Sequence, residues 1–322
     1  MPYSIARHAP FGGKQMRLIR AVGLLLCAAA LAAAAQSQPR SIEGDWRVNF
    51  ILPMQSTPGT PRLVVSEQEA KAVAAVAGAA LSDQFAKDLD PELPMLVPLS
   101  DGLAIVRGQR RTRAVVQPSD GKLPYTAAAL KELQSPSPPG VFDNPEQRPN
   151  AERCLVGQGQ PPLSSFALDS HIQIVRTADH VVIHVEYGDD VRIIPLAKTH
   201  APKVTWSRLG DSIAHWEGET LVIETIGQPD ADRVHTAPTL LVPGDATVIE
   251  RLTPISDKEL LYQFTVIDPK VYAAPWMGEF SWFRTKLRMY EHACHEGNYS
   301  LPNILAGARH EEAVAKTATA AR

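Results

Sequence analysis

HIQIVRTADHVVIHVEYGDDVRIIPL, from His171 to Leu196, is the stretch whose reading decides the fold. Apolar residues recur at every second position, and the runs break where polar turn formers cluster, at Thr177–His180 and around Gly188–Asp190. A period of two in short runs bounded by such turns marks antiparallel hairpins with one buried face. In the first hairpin a loop over Thr177–His180 pairs Arg176 with Val181, Ile174 with Ile183 and Ile172 with Val185. Those pairs gather the apolar side chains on one face and leave His171, Gln173, His184 and Glu186 on the other. In the second, pairing Tyr187 with Val191 sets Val185 against Ile193 and Glu186 against Arg192. The polar face reads as a solvated exterior, or as a cavity lining if the sheet closes with that face inward.

The same period continues downstream. DSIAHW, TLVIETIG, TVIERL, LLYQFTVI and LRMYEHA read as further strands, with WEGET (Trp216–Thr220) as a hairpin turn. So many evenly spaced antiparallel strands form a meander that curls into a barrel or folds into a sandwich. Upstream, GDWRVNFILP (Gly44–Pro53) alternates like a strand, and its Gly-x-Trp resembles the one that opens lipocalin-like barrels. Ser66–Lys87 is alanine-rich with a Ser66-x-x-Glu69 capping box, and TAAALKELQ follows Thr126 as its N-cap, so both are expected to be helices. LAIVRGQRRTRAVVQPSDGKLPY supplies short strands and a Pro118–Gly121 turn. The expected fold is mainly β: an antiparallel meander with a barrel-like, lipocalin- or calycin-like core and N-terminal helical decoration. Residues 1–35 read as a signal peptide, 36–133 as the N-terminal strand plus helical segment, and 134–150 as a proline-rich linker. Residues 151–309 then form the antiparallel β domain, and 310–322 a flexible tail.

The ends set the compartment. MRLIR from Met16 is a short basic region, and Ala21–Ala35 is an apolar run too short to span a bilayer comfortably. Ala33 and Ala35 fit cleavage before Gln36. The start is Met1 or Met16, and the mature chain is expected in the periplasm or outside the cell, without stable membrane insertion. Of three cysteines, Cys27 leaves with the signal; Cys154 and Cys294 remain, an even pair that in an oxidising compartment reads as one disulfide. With a net charge of −3 and no basic block, the composition offers nothing for a nucleic acid partner. The expected partner is a small molecule.

Chemistry concentrates in YEHACHEGNYSL, Tyr290–Leu301. A zinc-protease motif would need a histidine at Tyr299, and Gly297 and Asn298 break the helix it requires. His292 and His295 are three apart, which on a strand sends them to opposite faces, so no metal is assigned. Acid–base use of His295, with Glu296 or a partner elsewhere, is chemically easy because imidazole titrates near neutral pH. Trp206, Trp216, Trp276 and Trp282, with Phe280 and Phe283, read as core or as pocket lining. Ser212 lies near His215 but without a nucleophile elbow. Neither a phosphate loop nor a dinucleotide fingerprint is present, so no cofactor is expected.

Taken together, VVQPSDGKLPYT, NPEQRPNAERCL, HVVIHVEYGDDVRIIPL, GDSIAHWEGETLVIET, VIERL, LLYQFTVIDP and ACHEGNYSLPNILAGAR resemble a large family of secreted bacterial proteins, over about Arg113 to Arg309. That family carries no established activity, so the resemblance implies a compartment and a set of positions. Its histidine falls on His200, its Gly-Asp-Ser on Gly210, Asp211 and Ser212, its Glu-Arg on Glu250 and Arg251, and its Cys-His-Glu on Cys294, His295 and Glu296. The family's other cysteine falls on Cys154. Thr247, Ala273, Ala274 and His292 depart from the pattern, implying a ligand of this chain's own. The expected site uses His295, oriented by Glu296 or Asp211, with His200 as second acid or base and Arg251 on an oxyanion. The expected activity is a cofactor-free lyase, isomerase or hydrolase acting on an apolar or aromatic compound. The alternative is a lipocalin-like carrier of a hydrophobic ligand.

Overall fold

The computed structural model describes residues 41–48, 52–60, 62–75, 103–134, 142, 144–148, 153–155, 159–163, 171–201, 207–228, 234–235, 240–241 and 245–320. The signal peptide, Trp206 and most of the proline-rich linker lie outside the described residues.

Alternation becomes strand wherever a neighbouring edge is free to pair. The early strands are β1 (Gly44–Arg47), β2 (Val64–Val65), β3 (Ile105–Val106), β4 (Gln109–Arg111) and β5 (Val115–Gln117). The meander follows as β6 (Ile172–Arg176), β7 (His180–Val185), β8 (Asp190–Pro195), β9 (Asp211–Glu217) and β10 (Thr220–Ile226). After the short β11 (Val234–His235) and β12 (Leu240–Leu241) come β13 (Thr247–Ser256), β14 (Glu259–Ile267) and β15 (Trp276–Arg284). The main sheet is antiparallel in the order β8-β7-β6-β1-β15-β14-β13-β10-β9, with β5 also paired to β15. It curls into a barrel that almost closes. Its end strands meet through one parallel bridge, Leu196 with Ala214, where the Ala197 N–H donates to the Ala214 carbonyl at 3.0 Å.

The barrel interior is packed. Trp46, Trp276, Trp282, Tyr262, Phe264 and Phe280 are almost wholly buried. Tyr262 stacks on Trp282 at 4.7 Å between centroids, and Phe264 meets Trp276 edge-on at 5.5 Å. Trp46, from the Gly-x-Trp strand, donates its indole N–H to Ile42 and lies under the Arg284 guanidinium at 4.2 Å, so the first strand is pinned to the last.

The first hairpin has the expected register, Arg176 with Val181, Ile174 with Ile183 and Ile172 with Val185. The second does not. A turn closed by the Asp189 N–H on the Glu186 carbonyl, with positive φ at Gly188 and Asp189, starts β8 early. Val185 therefore faces Asp190, and Ile183 faces Arg192. The slip is an odd number of residues, so it reverses β8. Arg192 and Asp190 point inward, while Val191 and Ile193 are 45% and 66% exposed.

A second correction concerns LRMYEHA, which is not a strand. The last strand is β15, and its outer edge is already taken by β1 at Phe283 and Arg284 and by β5 at Met277 and Gly278. With no edge to join, the following chain becomes a strap. Carboxylates take its amides: Glu186 accepts from Tyr290 N–H at 2.9 Å, and Asp189 from His292 N–H at 3.2 Å.

Residues 67–75 are helical behind the reciprocal Ser66–Glu69 capping box, the first part of the helix expected to run to Lys87, and residues 76–87 lie outside the described residues; Ala127–Gln134 is capped by the Thr126 hydroxyl, as expected. The helix Ser300–Ala320 takes in residues assigned from sequence to a tail. Among the described residues no helix is long and apolar enough to cross a membrane.

Candidate functional site

The five sequence-designated residues fall in three places. His200 and Asp211 come together. After β8 the chain is held against Ala214 and then turns, so that His200 Nδ1 lies 2.5 Å from Asp211 Oδ2. On the other side of the ring, Nε2 lies 3.2 Å from Glu224 Oε1. Asp211 and Glu224 are near neighbours on one face because Asp211 pairs with Ile226 and Ile213 with Glu224. Gly210 makes the approach possible. Its φ is +75°, and a Cβ there would sit 2.7 Å from the Thr225 methyl and 2.9 Å from the Ile226 carbonyl oxygen. The His200 side chain is 14% exposed, Asp211 28% and Glu224 46%, so the ring is fixed while one carboxylate meets solvent.

Chemically this is an imidazole with an acceptor on each nitrogen. A ring carrying both protons donates to both carboxylates; a neutral ring donates to one and offers its other nitrogen as a base. The carboxylate on Nδ1 fixes which nitrogen that is, the role an orienting acid plays beside a catalytic histidine.

Directly behind these strands, inside the barrel, lies a polar group that sequence reasoning missed. Arg192 Nη1 donates to Glu250 Oε1 at 3.0 Å, and Nη2 reaches the other oxygen of that carboxylate together with Ser212 Oγ and Thr225 Oγ1, each at 3.1 Å. Tyr262 donates its hydroxyl to Glu250 at 2.8 Å and accepts the Leu163 N–H at 2.8 Å. Glu250 is fully buried and Arg192 nearly so. Burial alone would pull the guanidinium down, but Glu250 outweighs it and holds Arg192 above its ordinary value. Burial first, then the Glu250 charge, push Tyr262 well above the ordinary phenol range. The signal was present in Glu250, which the family resemblance aligns, but the expected β8 register sets Arg192 against Glu186 on the polar face, whereas it lies opposite Ile183 on the inner one.

His295 and Glu296 lie elsewhere, on the strap. The disulfide Cys154–Cys294 forms as expected and anchors a cleft of about 270 Å³. Its walls carry Tyr187, Asp189, Glu291, His292, His295 and Glu296. His292 packs on the Tyr187 ring at 4.5 Å. Among the described residues no hydrogen bond or ion pair joins His295 or Glu296 to His200, Asp211 or Arg251, and no group of three or more histidine, cysteine or acidic residues is placed to hold a metal ion.

Arg251 forms the third place. It sits opposite Val222 on the outer face and donates to Glu217 at 2.7 Å. By strand geometry its Cα is roughly 16 Å from that of Asp211, two strands over and four residues along. The guanidinium holds the Glu217 carboxyl below its ordinary range, with His215 adding to the effect.

Neither the models of known protein families nor the curated proteins match this chain.

Proposed function

We propose that the protein is an exported small-molecule enzyme of the secreted bacterial family its sequence resembles, working by cofactor-free acid–base chemistry on an apolar or aromatic compound. The observation that carries this reading is the His200 imidazole held between Asp211 and Glu224. A substrate surface adjoins it. The Leu196–Ala214 bridge sets Ile193, three residues before Leu196, level with Asp211, three before Ala214. Ile193 continues into an outer row with Val182 and Val175, and both Ile193 and Val175 are exposed. An apolar body resting on that row would present a polar group to His200.

In the reaction His200 Nε2 takes a proton from a substrate C–H or O–H, or, for hydrolysis, from a water that attacks the substrate, with Glu224 moving aside or accepting the proton onward. Asp211 holds the Nδ1 proton, and its charge stabilises the imidazolium that forms. Returning the proton to a leaving group or to a neighbouring carbon gives the lyase, isomerase or hydrolase outcome. Arg251 has no part in this site.

The test is turnover by the purified protein of a panel of aromatic and apolar esters, lactones and β-hydroxy carbonyl compounds, followed by mass spectrometry. His200→Ala is expected to cut the rate by about 10²–10⁴-fold, and Asp211→Asn by a smaller factor. A folded His200→Ala protein that works at the wild-type rate removes the assignment. The exposed apolar row also favours a second reading, a carrier of a hydrophobic ligand, which predicts panel compounds bound and recovered unchanged.

A further inference from the structure

We propose that the buried Arg192 is the positioning residue of the His200 site, acting through Ser212 and Thr225 from inside the barrel. The claim rests on reading His200 as the acid–base residue, and its test is separable from that reading.

β8 and β9 are the two ends of the sheet, and the described residues join them by a single backbone bridge at Leu196 and Ala214. Asp211 lies three residues before that bridge, at the start of β9, where no described backbone pairing reaches it from the β8 side. A strand end tethered on one side only is free to open locally. Arg192 spans this gap. From β8, its Nη2 reaches Ser212 on β9 and Thr225 on β10, and the fork also grips Glu250 on β13. Ser212 and Thr225 are a cross-strand pair, and their hydroxyls lie 2.8 Å apart.

The two hydroxyl residues adjoin the two carboxylates. Asp211 precedes Ser212 and Glu224 precedes Thr225, so the pair gripped inside the barrel is next in sequence to the pair that flanks His200 outside. Side chains of adjacent strand residues leave opposite faces. One guanidinium therefore sets the spacing of Asp211 and Glu224 without touching either. Arginine suits the task because its planar fork binds a carboxylate with two nitrogens and still offers donors to the hydroxyls; a lysine could not. Arg192 Nε has no hydrogen-bond partner among the described residues, so the fork is committed at its far end, toward Glu250 and the two hydroxyls.

The experiment follows the proton between His200 Nδ1 and Asp211 in histidine-labelled protein by NMR. That signal is assigned by its absence from His200→Gln. Three variants are compared with wild type: Arg192→Met/Glu250→Leu, Ser212→Ala and Ser212→Thr. The double variant replaces a buried ion pair with apolar side chains of similar size, a change that proteins often tolerate without loss of stability. The expected result is solvent exchange of the His200 proton at least about tenfold faster in the double variant and in Ser212→Ala, with near wild-type exchange in Ser212→Thr, which restores the hydroxyl. Wild-type exchange in a folded double variant or in Ser212→Ala overturns the proposal, as does failure of Ser212→Thr to restore it. Should the double variant not fold, the Ser212 pair decides alone. Loss of turnover plays no part in this readout, so a His200→Ala enzyme of undiminished activity would sink the catalytic reading and leave the positioning result standing.

Discussion

Arg192 holds its guanidinium charge inside the barrel. Its charge is buried at 3% exposure and is balanced by one carboxylate, so Arg192→Met alone strands Glu250 in the core. The expected cost is about 3–5 kcal/mol by urea denaturation, most of it recovered when Glu250→Leu is added. Tyr262 makes a pH-dependent contribution. Its folded value lies above the ordinary 10.0, so its stabilisation is complete below that pH and is lost as pH rises through the folded value. Denaturant midpoints are therefore expected to fall above about pH 10 in the wild type and to fall less in Tyr262→Phe. At neutral pH the same variant should lose about 1–3 kcal/mol, because the Leu163 N–H and Glu250 lose a shared partner.

Among the elements, the outcome of the sequence reading turned on what held each turn. The hairpin over Thr177–His180 is closed by the Thr177 and His180 backbone and by the Thr177 hydroxyl, local chemistry that can be read directly. Both helix caps were readable for the same reason. The turn at Glu186–Asp189 depends on Asp189, a non-glycine residue, taking a positive φ, and on a buried arginine finding Glu250 fifty-eight positions away. Alternation in VRIIP favours the opposite face, so the long-range pair overrode the local pattern. LRMYEHA alternates like a strand yet forms the strap for a related reason, because whether an alternating run pairs depends on which edges others have taken. Within the candidate site, His200 and Asp211 were readable from the resemblance, whereas Glu224 and Arg192 needed the register. Gly210→Ala tests this scale. Positive φ and the contact with Thr225 should cost about 1–3 kcal/mol in thermal or urea unfolding and shift the His200–Asp211 proton signal.

At the scale of the whole molecule, two devices tie distant parts of the chain. β1 lies between β6 and β15, bringing residue 44 beside residue 174 and residue 46 beside residue 284. The disulfide closes a separation of 140 residues. In the chain-entropy account, removing it by Cys154→Ser/Cys294→Ser should lower stability by about 5 kcal/mol, read as a lower denaturant midpoint with an increased m-value. The strap should loosen in that variant, and hydrogen exchange at Tyr290 and His292 should accelerate.

That bond has a bearing on the order of events during synthesis. Every strand from β6 to β15 lies between its two cysteines. Cys154 emerges before any of them and Cys294 after all of them, so the first cysteine has no native partner until the last strand is out. Oxidation of the native pair therefore timestamps a finished meander, and a nascent chain stalled before residue 294 carries Cys154 as a thiol that an alkylating tag can count.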